Sequence, residues 1–180
     1  MKLIILDRDG VINFDSDQFI KHPDEWKPIP GSLDAIARLT REGWRVVVAT
    51  NQSGLARGLF EMATLNAIHA KMHKAVMVAG GRIEAVFYCP HSAEMDCACR
   101  KPKSGMYHEI ATRYARDLTD VPIVGDSLRD LQAAIEVGAR PVLVKSGKGL
   151  KTLAAGGFPP DTPVFDNLAQ AVSALLMPIL

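Results

Sequence analysis

Two aspartates come directly after an apolar run near the start of the chain. Residues 3–6 are all Leu or Ile, which predicts a buried strand, and Asp7 and Asp9 follow it one residue apart. Open α/β sheets bind ligands at the carboxyl ends of their strands, so we expect both carboxylates to enter a crevice. Two acids at such close range repel each other unless a cation joins them. Because Mg²⁺ takes oxygen ligands and often shares them with a phosphate, this pair is a candidate phosphoryl-transfer site.

Further polar residues follow the ends of other predicted strands. The candidates that could join the aspartates are Thr50, Asn51, Arg100, Lys101, Asp126 and Asp130. Thr50 and Asn51 end the second strand, and Asp126 follows a short strand over 122–124. Lys101 stands just before Pro102 and a predicted helix. Strand ends in a parallel sheet meet at one edge, so these groups are expected to lie near Asp7 and Asp9.

All three cysteines of the chain lie between residues 89 and 99. The ligand candidates are Cys89, His91, Cys97 and Cys99. Three thiolates and one imidazole form the ligand set of a closed tetrahedral Zn²⁺ site. With no open position such an ion is structural, and it would fix the loop that delivers Arg100 and Lys101. The alternative is a set of free buried cysteines with a surface histidine.

Composition limits the class of protein. A chain of 180 residues with 48% hydrophobic and 23% charged residues suits one α/β domain spanning 1–180. The formal charge of +1 gives no argument for nucleic-acid binding. No apolar stretch reaches the roughly 20 residues that span a bilayer, and the first strand begins almost at Met1, where a signal peptide would lie. We therefore expect a cytoplasmic protein with no membrane partner.

Strands and helices alternate along the chain, which predicts a doubly wound parallel sheet. The polar, proline-containing stretch 13–31 is expected to form a flap beside the crevice. The helices are expected over 32–42, with Ser32 as the cap, from Thr64 to about 79, over 105–115, after Ser127 and at the end of the chain. The later strands are expected over 44–49, 85–88, 122–124 and 140–145 and near Phe165.

The order of these motifs resembles that of the haloacid dehalogenase-like phosphohydrolases. The chain has Asp-x-Asp first, a Thr after the second strand, a Lys before Pro, and Gly-Asp-x-x-x-Asp last. The resemblance implies a Rossmann-like fold in which Asp7 attacks phosphorus and forms an aspartyl phosphate. Asp9 would act as acid and then as base, while its backbone carbonyl joins Asp7 and Asp126 around Mg²⁺.

The remaining catalytic roles implied by the resemblance concern the phosphoryl oxygens. Thr50, the Asn51 amide and Lys101 would hold them and offset their charge. Asp130 would support Lys101 or a metal-bound water. The forty residues between Asp9 and Thr50 are used by the flap and one helix, which leaves no room for a cap domain.

Without a cap, loops must select the substrate. The substrate-binding candidates are Asp15, Ser16, Asp17, Gln18, Asn51, Gln52, Ser53, Arg57 and Arg100. The stretches Asp-Arg-Asp-Gly, Thr-Asn-Gln-Ser-Gly-Leu-Ala-Arg-Gly and Cys-x-His…Cys-x-Cys-Arg-Lys-Pro resemble those of the heptose bisphosphate phosphatases. That resemblance implies a small phosphorylated sugar as substrate, loss of its C7 phosphate, and contact between Arg100 and the phosphate that remains. We expect the enzyme to be a monomer.

Three alternatives remain at this point. Histidinol-phosphate phosphatases share both the catalytic motifs and the zinc loop, although Ser53 and the stretch 56–58 argue against them. A polynucleotide 3′-phosphatase shares the first two motifs, but it should show a basic groove. A zinc-stabilised binding module without turnover would not need both Asp7 and Asp9.

Two weaker patterns are interpreted as structural. His69 and His73 have metal-binding spacing on a helix, but a solvated helix face is the favoured interpretation. Residues 147–149, Gly-Lys-Gly, lack the full phosphate-loop pattern and predict a turn.

Overall fold

The computed structural model describes residues 1–177, in which strands and helices alternate. The strands are β1 (Lys2–Leu6), β2 (Trp44–Asn51), β3 (Ala85–Cys89), β4 (Pro122–Gly125), β5 (Arg140–Val144) and β6 (Val164–Phe165). The α-helices are α1 (Ser32–Arg41), α2 (Met62–Val78), α3 (Gly105–Arg113), α4 (Leu128–Glu136), α5 (Gly149–Ala155) and α6 (Leu168–Leu175). Short 3₁₀ helices lie at Pro23–Glu25 in the flap and at Ala93–Met95 in the cysteine loop.

All strands of the described chain belong to one parallel sheet with the order β3-β2-β1-β4-β5-β6. The chain runs outward from β1 to β3 and then crosses to the other side of β1 to form β4. The strand order therefore reverses between β1 and β4, which is where a crevice opens at the carboxyl edge. The predicted doubly wound sheet is confirmed, and residues 1–177 contain no cap domain.

The core has two layers because successive strand residues face opposite sides of the sheet. Ile4 and Leu6 of β1 pack on one side with residues of α1, α2 and α6. Leu3 and Ile5 pack on the other side with residues of α3 and α4. The sheet is thus covered on both faces, and its carboxyl edge remains the place where polar side chains gather. Among residues 1–177, no helix combines the length and apolar character needed to cross a bilayer.

Several predicted boundaries differ from the observed ones. Gly31, not Ser32, is the N-cap of α1, and the Ser32 hydroxyl donates a hydrogen bond to the Val11 carbonyl instead (2.8 Å). Helix α2 begins two residues before Thr64, at Met62. The turn predicted at 147–149 leads at once into α5, a helix that the sequence pattern does not predict.

Candidate active site

The candidate site is a cleft of about 280 Å³ at the carboxyl edge of β1, β2 and β4. The predicted residues that line it are Asp7, Asp9, Asp15, Ser16, Asp17, Thr50, Asn51, Gln52, Ser53, Arg57, Arg100, Lys101 and Asp130. Gln18 does not line it. That side chain lies on the wall of a neighbouring cleft behind the flap, so the prediction that Gln18 contacts the substrate lacks support from this geometry.

Lys101 connects two of the aspartates at the base of the cleft. Its Nζ atom lies 3.2 Å from Asp7 Oδ1 and 2.6 Å from Asp130 Oδ1, and it donates a hydrogen bond to the Ala49 carbonyl (2.8 Å). Burial lowers the pKa of Lys101, but the charges of Asp130 and Asp7 outweigh it and raise the pKa above its usual value. The ammonium is therefore a fixed positive charge beside Asp7.

Both carboxylate oxygens of Asp130 contact other polar groups of the site. Its Oδ2 atom accepts hydrogen bonds from the Ser127 amide (3.0 Å) and the Ser127 hydroxyl (2.8 Å), which forms a capping box at the start of α4. Its Oδ1 atom faces Lys101. The structure thus places Asp130 as the predicted support of Lys101.

Asp126 lies beside Asp7 in a space that only glycines leave open. A Cβ atom at Gly10 would stand 2.1 Å from Asp126 Oδ2, and one at Gly147 would stand 2.2 Å from the same atom. The amide of Lys148 donates a hydrogen bond to that oxygen (2.7 Å). Burial and the neighbouring charge of Asp130 raise the pKa of Asp126 to about 7.

These carboxylates form a cluster that suits a divalent cation. One oxygen each of Asp7, Asp126 and Asp130 lies within 4.8 Å of the others. Burial and then the charge of Asp130 raise the pKa of Asp7 well above its usual range, although Lys101 opposes this. When all three carboxylates are ionised, the one ammonium leaves two negative charges uncompensated, which agrees with the raised pKa values of Asp7 and Asp126. An ion such as Mg²⁺ would supply that charge and the oxygen chemistry fits it.

Asp9 belongs to a separate network of hydrogen bonds. Its Oδ1 atom accepts from Arg8 Nε (2.9 Å) and Asn13 Nδ2 (2.9 Å), and its Oδ2 atom accepts from Arg8 Nη2 (3.1 Å) and Gln52 Nε2 (3.1 Å). Burial acts to raise the pKa of Asp9, but the Arg8 charge and these bonds lower it. The side chain is thus kept apart from the carboxylate cluster, and the predicted Mg²⁺ ligand is the Asp9 backbone carbonyl.

The end of β2 links the two parts of the site. The Gln52 amide that bonds Asp9 also donates to Thr50 Oγ1 (2.9 Å). The Asn51 side chain donates to the Lys101 carbonyl (3.0 Å) and accepts from the Lys101 amide (3.1 Å). Asn51 therefore fixes the backbone on which the lysine stands.

Positively charged side chains surround the mouth of the cleft. Arg57, Arg100, Arg129 and Lys148 all line it. Arg100 follows the last cysteine, and its Nη1 atom donates to the His91 carbonyl (3.3 Å). Lys148 Nζ lies 3.3 Å from Asp15 Oδ2 and so connects the flap to the loop that holds Asp126.

The cysteine loop has the geometry of a tetrahedral metal centre. The Sγ atoms of Cys89, Cys97 and Cys99 lie 3.1–3.6 Å apart, and His91 Nδ1 lies 3.3 Å from Cys99 Sγ. Tetrahedral Zn–S bonds of about 2.3 Å place sulfurs about 3.7 Å apart. No cysteine is paired in a disulfide. The four groups fit a zinc ion as predicted.

Comparison with known proteins agrees with this geometry. The sequence matches the family model of the polynucleotide kinase 3 phosphatases over residues 2–132 and that of the HAD-hydrolase-like proteins over residues 98–171. It is 63% identical over 176 residues to the D-glycero-beta-D-manno-heptose-1,7-bisphosphate 7-phosphatase of Bordetella bronchiseptica, and 98% of each chain is covered. It is 55% identical to the enzyme of the same name from Pseudomonas putida, over 98% of this chain and 100% of the other. The chain belongs to the family of heptose bisphosphate phosphatases, within the haloacid dehalogenase-like superfamily.

A solved member of the heptose bisphosphate phosphatases supports the presence of a catalytic metal. The crystal structure of the D,D-heptose 1,7-bisphosphate phosphatase from B. bronchiseptica, complexed with magnesium and phosphate, matches with a TM-score of 0.96 and 63% identity over 98% of each chain. Both ligands of that protein are ones that the aspartate cluster and Lys101 suit chemically.

Three residues of this site are missed when only the sequence is considered. Arg129 and Lys148 line the cleft, and His69 reaches the Asp9 network through Arg8. His69 is 8% exposed, so the interpretation of its position as a solvated helix face is wrong, whereas His73 is exposed as expected. The signal available for Lys148 is its position between two glycines directly after a buried strand.

Proposed function

We propose that this protein removes the C7 phosphate of D-glycero-D-manno-heptose 1,7-bisphosphate through a phosphorylated Asp7. The observation that carries the proposal is the pairing of Lys101 with Asp7 beside a carboxylate cluster that lacks two positive charges. A site of this charge binds a divalent cation and a phosphate together. The cationic mouth of the cleft then suits a substrate with a second phosphate.

Asp7 supplies the nucleophile in the first step. A carboxylate oxygen attacks phosphorus, the bond from phosphorus to the sugar oxygen breaks, and its electron pair stays on that oxygen. Asp7 Oδ1 accepts hydrogen bonds from the Arg8 amide (2.8 Å) and faces Lys101, so the carboxylate is already oriented. When bound, Mg²⁺ supplies positive charge that favours the ionised carboxylate and offsets the phosphoryl oxygens.

Asp9 transfers the proton in both steps. It gives a proton to the departing sugar oxygen and then takes one from the water that hydrolyses the aspartyl phosphate. The lowered pKa of Asp9 makes it an anion in the free site. A bound phosphate brings negative charge next to Asp9, and like charge raises a carboxyl pKa, which favours the protonated form only when substrate is present.

Lys101, Thr50 and the Asn51 amide bind the transferring oxygens. All three lie at the cleft, and Thr50 and Lys101 are almost fully buried. Fixed donors in a site closed to water stabilise developing charge more strongly than mobile water does. Asp130 and the Asn51 side chain keep the lysine in place.

The second phosphate is assigned to the arginines at the mouth. Burial and then the charge of Arg129 lower the pKa of Arg100, because the two guanidinium groups lie close together. Two like charges held together are unfavourable without an anion between them. A sugar C1 phosphate would relieve this repulsion and accept bidentate hydrogen bonds.

The test compares three substrates at saturating Mg²⁺. We expect the highest kcat/KM with the heptose 1,7-bisphosphate, and ³¹P NMR should show that the C1 phosphate remains on the product. Histidinol phosphate and a 3′-phosphorylated oligonucleotide represent the two competing phosphatases. Higher kcat/KM for either of them, or loss of the C1 phosphate, would overturn the proposal.

The remaining proposals concern the zinc ion, the oligomeric state and the compartment. We propose that Cys89, His91, Cys97 and Cys99 hold one structural zinc, because the four ligand atoms already approach a tetrahedron. We also propose that the enzyme acts as a monomer. Three thiols without a disulfide suit a reducing compartment such as the cytoplasm.

A further inference from the structure

Arg8 is a charged residue buried completely in the site, and the mechanism above gives its side chain no chemical step. It is 0% exposed and stands between the two aspartates of the first motif. Its guanidinium forms a fork with Asp9, in which Nε donates to Oδ1 (2.9 Å) and Nη2 donates to Oδ2 (3.1 Å) while also lying 2.9 Å from Oδ1. Such a planar, bidentate pair fixes the direction in which the carboxylate faces.

The third corner of the guanidinium contacts His69 of α2. Arg8 Nη1 lies 3.1 Å from His69 Nε2. A guanidinium has donors and no acceptor, so the imidazole nitrogen must accept this bond and the ring proton stands on Nδ1. Burial and then the Arg8 charge lower the pKa of His69 to about 3, so the ring is neutral and remains an acceptor.

This contact links the helix to the proton-transfer group. His69 is itself buried at 8% exposure, so the Arg8 Nη1 group has little access to water in its place. Without the imidazole acceptor, the guanidinium would have to leave a buried donor unpaired or turn away from Asp9. Asn13 and Gln52 each supply one further bond to Asp9, and neither can replace a two-point fork.

We propose that His69 is a positioning residue for phosphoryl transfer, whose Nε2 atom holds Arg8 so that Arg8 aims the Asp9 carboxyl at the leaving oxygen. The inference rests on the proposed phosphatase function and adds a residue outside the cleft wall to it. In the step concerned, the O–H bond of protonated Asp9 breaks as the proton passes to the sugar oxygen, which keeps the electron pair of the cleaved P–O bond.

The leaving group provides a readout specific to this role. A sugar alkoxide needs the proton as it departs, whereas 4-nitrophenolate is stable without it. A misdirected Asp9 should therefore slow the sugar phosphate more than 4-nitrophenyl phosphate. The ratio of the two kcat/KM values reports phosphorylation of Asp7, because kcat/KM covers the steps up to the first irreversible one.

Two variants of His69 separate the effect of losing the hydrogen-bond acceptor from the effect of changing the size of the side chain. His69→Gln places a carboxamide oxygen near the position of Nε2, whereas the shorter His69→Asn cannot reach Arg8. His73→Gln, one turn further along the same helix and exposed, is the control. All variants are first compared with wild type by thermal unfolding and zinc content.

We expect His69→Asn to lower kcat/KM for the heptose bisphosphate by about 10-fold or more beyond its effect on 4-nitrophenyl phosphate, mainly through kcat. His69→Gln should recover most of this loss, and His73→Gln should match wild type.

Equal losses on both substrates, or wild-type rates in a folded His69→Asn variant, would overturn the inference but not the proposed function. If His69→Asn does not fold, His69→Leu takes its place, because leucine fills the space without an acceptor. It should show the same selective loss on the heptose bisphosphate, and equal losses on both substrates or wild-type rates overturn the inference. A wild-type protein that hydrolyses neither ester would overturn the proposed function and the inference together.

Discussion

Lys101 Nζ lies 2.6 Å from Asp130 Oδ1, and both side chains are at most 3% exposed. Neither residue could be buried alone at an acceptable free-energy cost, because an unpaired charge in such a position is strongly destabilising. The pair explains how the start of α4 and the loop before α3, which are far apart in sequence, bring an ammonium to Asp7. In the proposed mechanism it also separates the roles of the two acids, since Asp130 anchors the lysine while Asp7 reacts.

The first prediction concerns the two aspartates of the first motif. Asp7→Asn should abolish turnover because an amide cannot attack phosphorus. Asp9→Asn should lower kcat by at least the roughly 10² to 10⁴-fold that general acid and base catalysis contributes. Both variants should fold, since an amide fits the space of each carboxylate, but Asp9→Asn should be the less stable because it leaves the buried Arg8 charge unpaired. Rates of phosphate release near those of wild type in either variant would contradict the assigned roles.

The second prediction separates the two metals. Protein purified without chelators should contain about one zinc per chain and still require added Mg²⁺, because thiolates and carboxylates select different ions. Elemental analysis and an activity titration with Mg²⁺ measure the two requirements. In Cys97→Ser the zinc content should fall. Zinc-free wild-type protein, or full activity after removal of Mg²⁺, would contradict the corresponding half.

The core of the site could be predicted from sequence because each of its groups ends a buried apolar strand. Asp7, Thr50 and Asp126 are positioned by the sheet alone, and parallel strands bring their ends together whatever the loops do. The clustering of Cys89, His91, Cys97 and Cys99 could be predicted for a different reason, since all four lie within eleven residues. Local spacing was sufficient in that case.

The outer residues could not be predicted because their positions depend on how helices and loops pack. Lys148 reaches Asp126, 22 residues away, only because β5 lies beside β4 in this register. His69 is 61 residues from Arg8 in the sequence, and the two side chains come into contact only because α2 packs against the sheet. Gln18 belongs to the flap, as predicted, but its side chain lies on a neighbouring cleft and not in the candidate site. Periodicity identifies a helix face but does not say which polar group it will meet.

The third prediction divides recognition from catalysis between two adjacent residues. Arg100→Ala should lower kcat/KM for the heptose bisphosphate by roughly 10- to 200-fold, taking charge-assisted hydrogen bonds as about 1.5 to 3 kcal/mol. Hydrolysis of a small monophosphate should change much less. Lys101→Ala should damage both reactions, because that ammonium lies beside Asp7, the proposed acceptor of the phosphoryl group.

Arg41→Ala provides the control for this comparison, since Arg41 is an exposed arginine at the end of α1. It should leave both substrates unaffected. Arg129→Ala should resemble Arg100→Ala in direction. Equal losses for both substrates in the Arg100 variant would contradict the division of roles.

The fourth prediction tests the glycine that leaves room for Asp126. Gly147 has a φ of +59°, and an alanine Cβ there would press on Asp126 Oδ2. Gly147→Ala should therefore raise the Mg²⁺ concentration needed for half-maximal activity. Gly43→Ala is matched to it, because Gly43 follows the end of α1 with a φ of +76° and no atom within 4 Å of such a Cβ. Both variants carry a similar backbone strain of roughly 1 to 2 kcal/mol, so an equal change in Mg²⁺ dependence would contradict the steric explanation.

The last prediction concerns the pH dependence of stability. Burial, with the Arg8 charge, lowers the folded-state pKa of His69 from 6.5 to about 3. Between these values the unfolded chain binds a proton at His69 that the folded chain does not, so the free energy of unfolding falls as the pH falls. From pH 7 to pH 5 this group alone should lower the free energy of unfolding by about 2 kcal/mol.

His69→Gln lacks this titration, so its free energy of unfolding should fall less over that interval than that of wild type, by the same amount. Urea unfolding of both proteins at the two pH values measures the difference, in which the contributions that the two proteins share cancel. Parallel losses in the two proteins would show that His69 takes up a proton in the folded state as readily as in the unfolded chain, which is incompatible with an imidazole that accepts a hydrogen bond from Arg8.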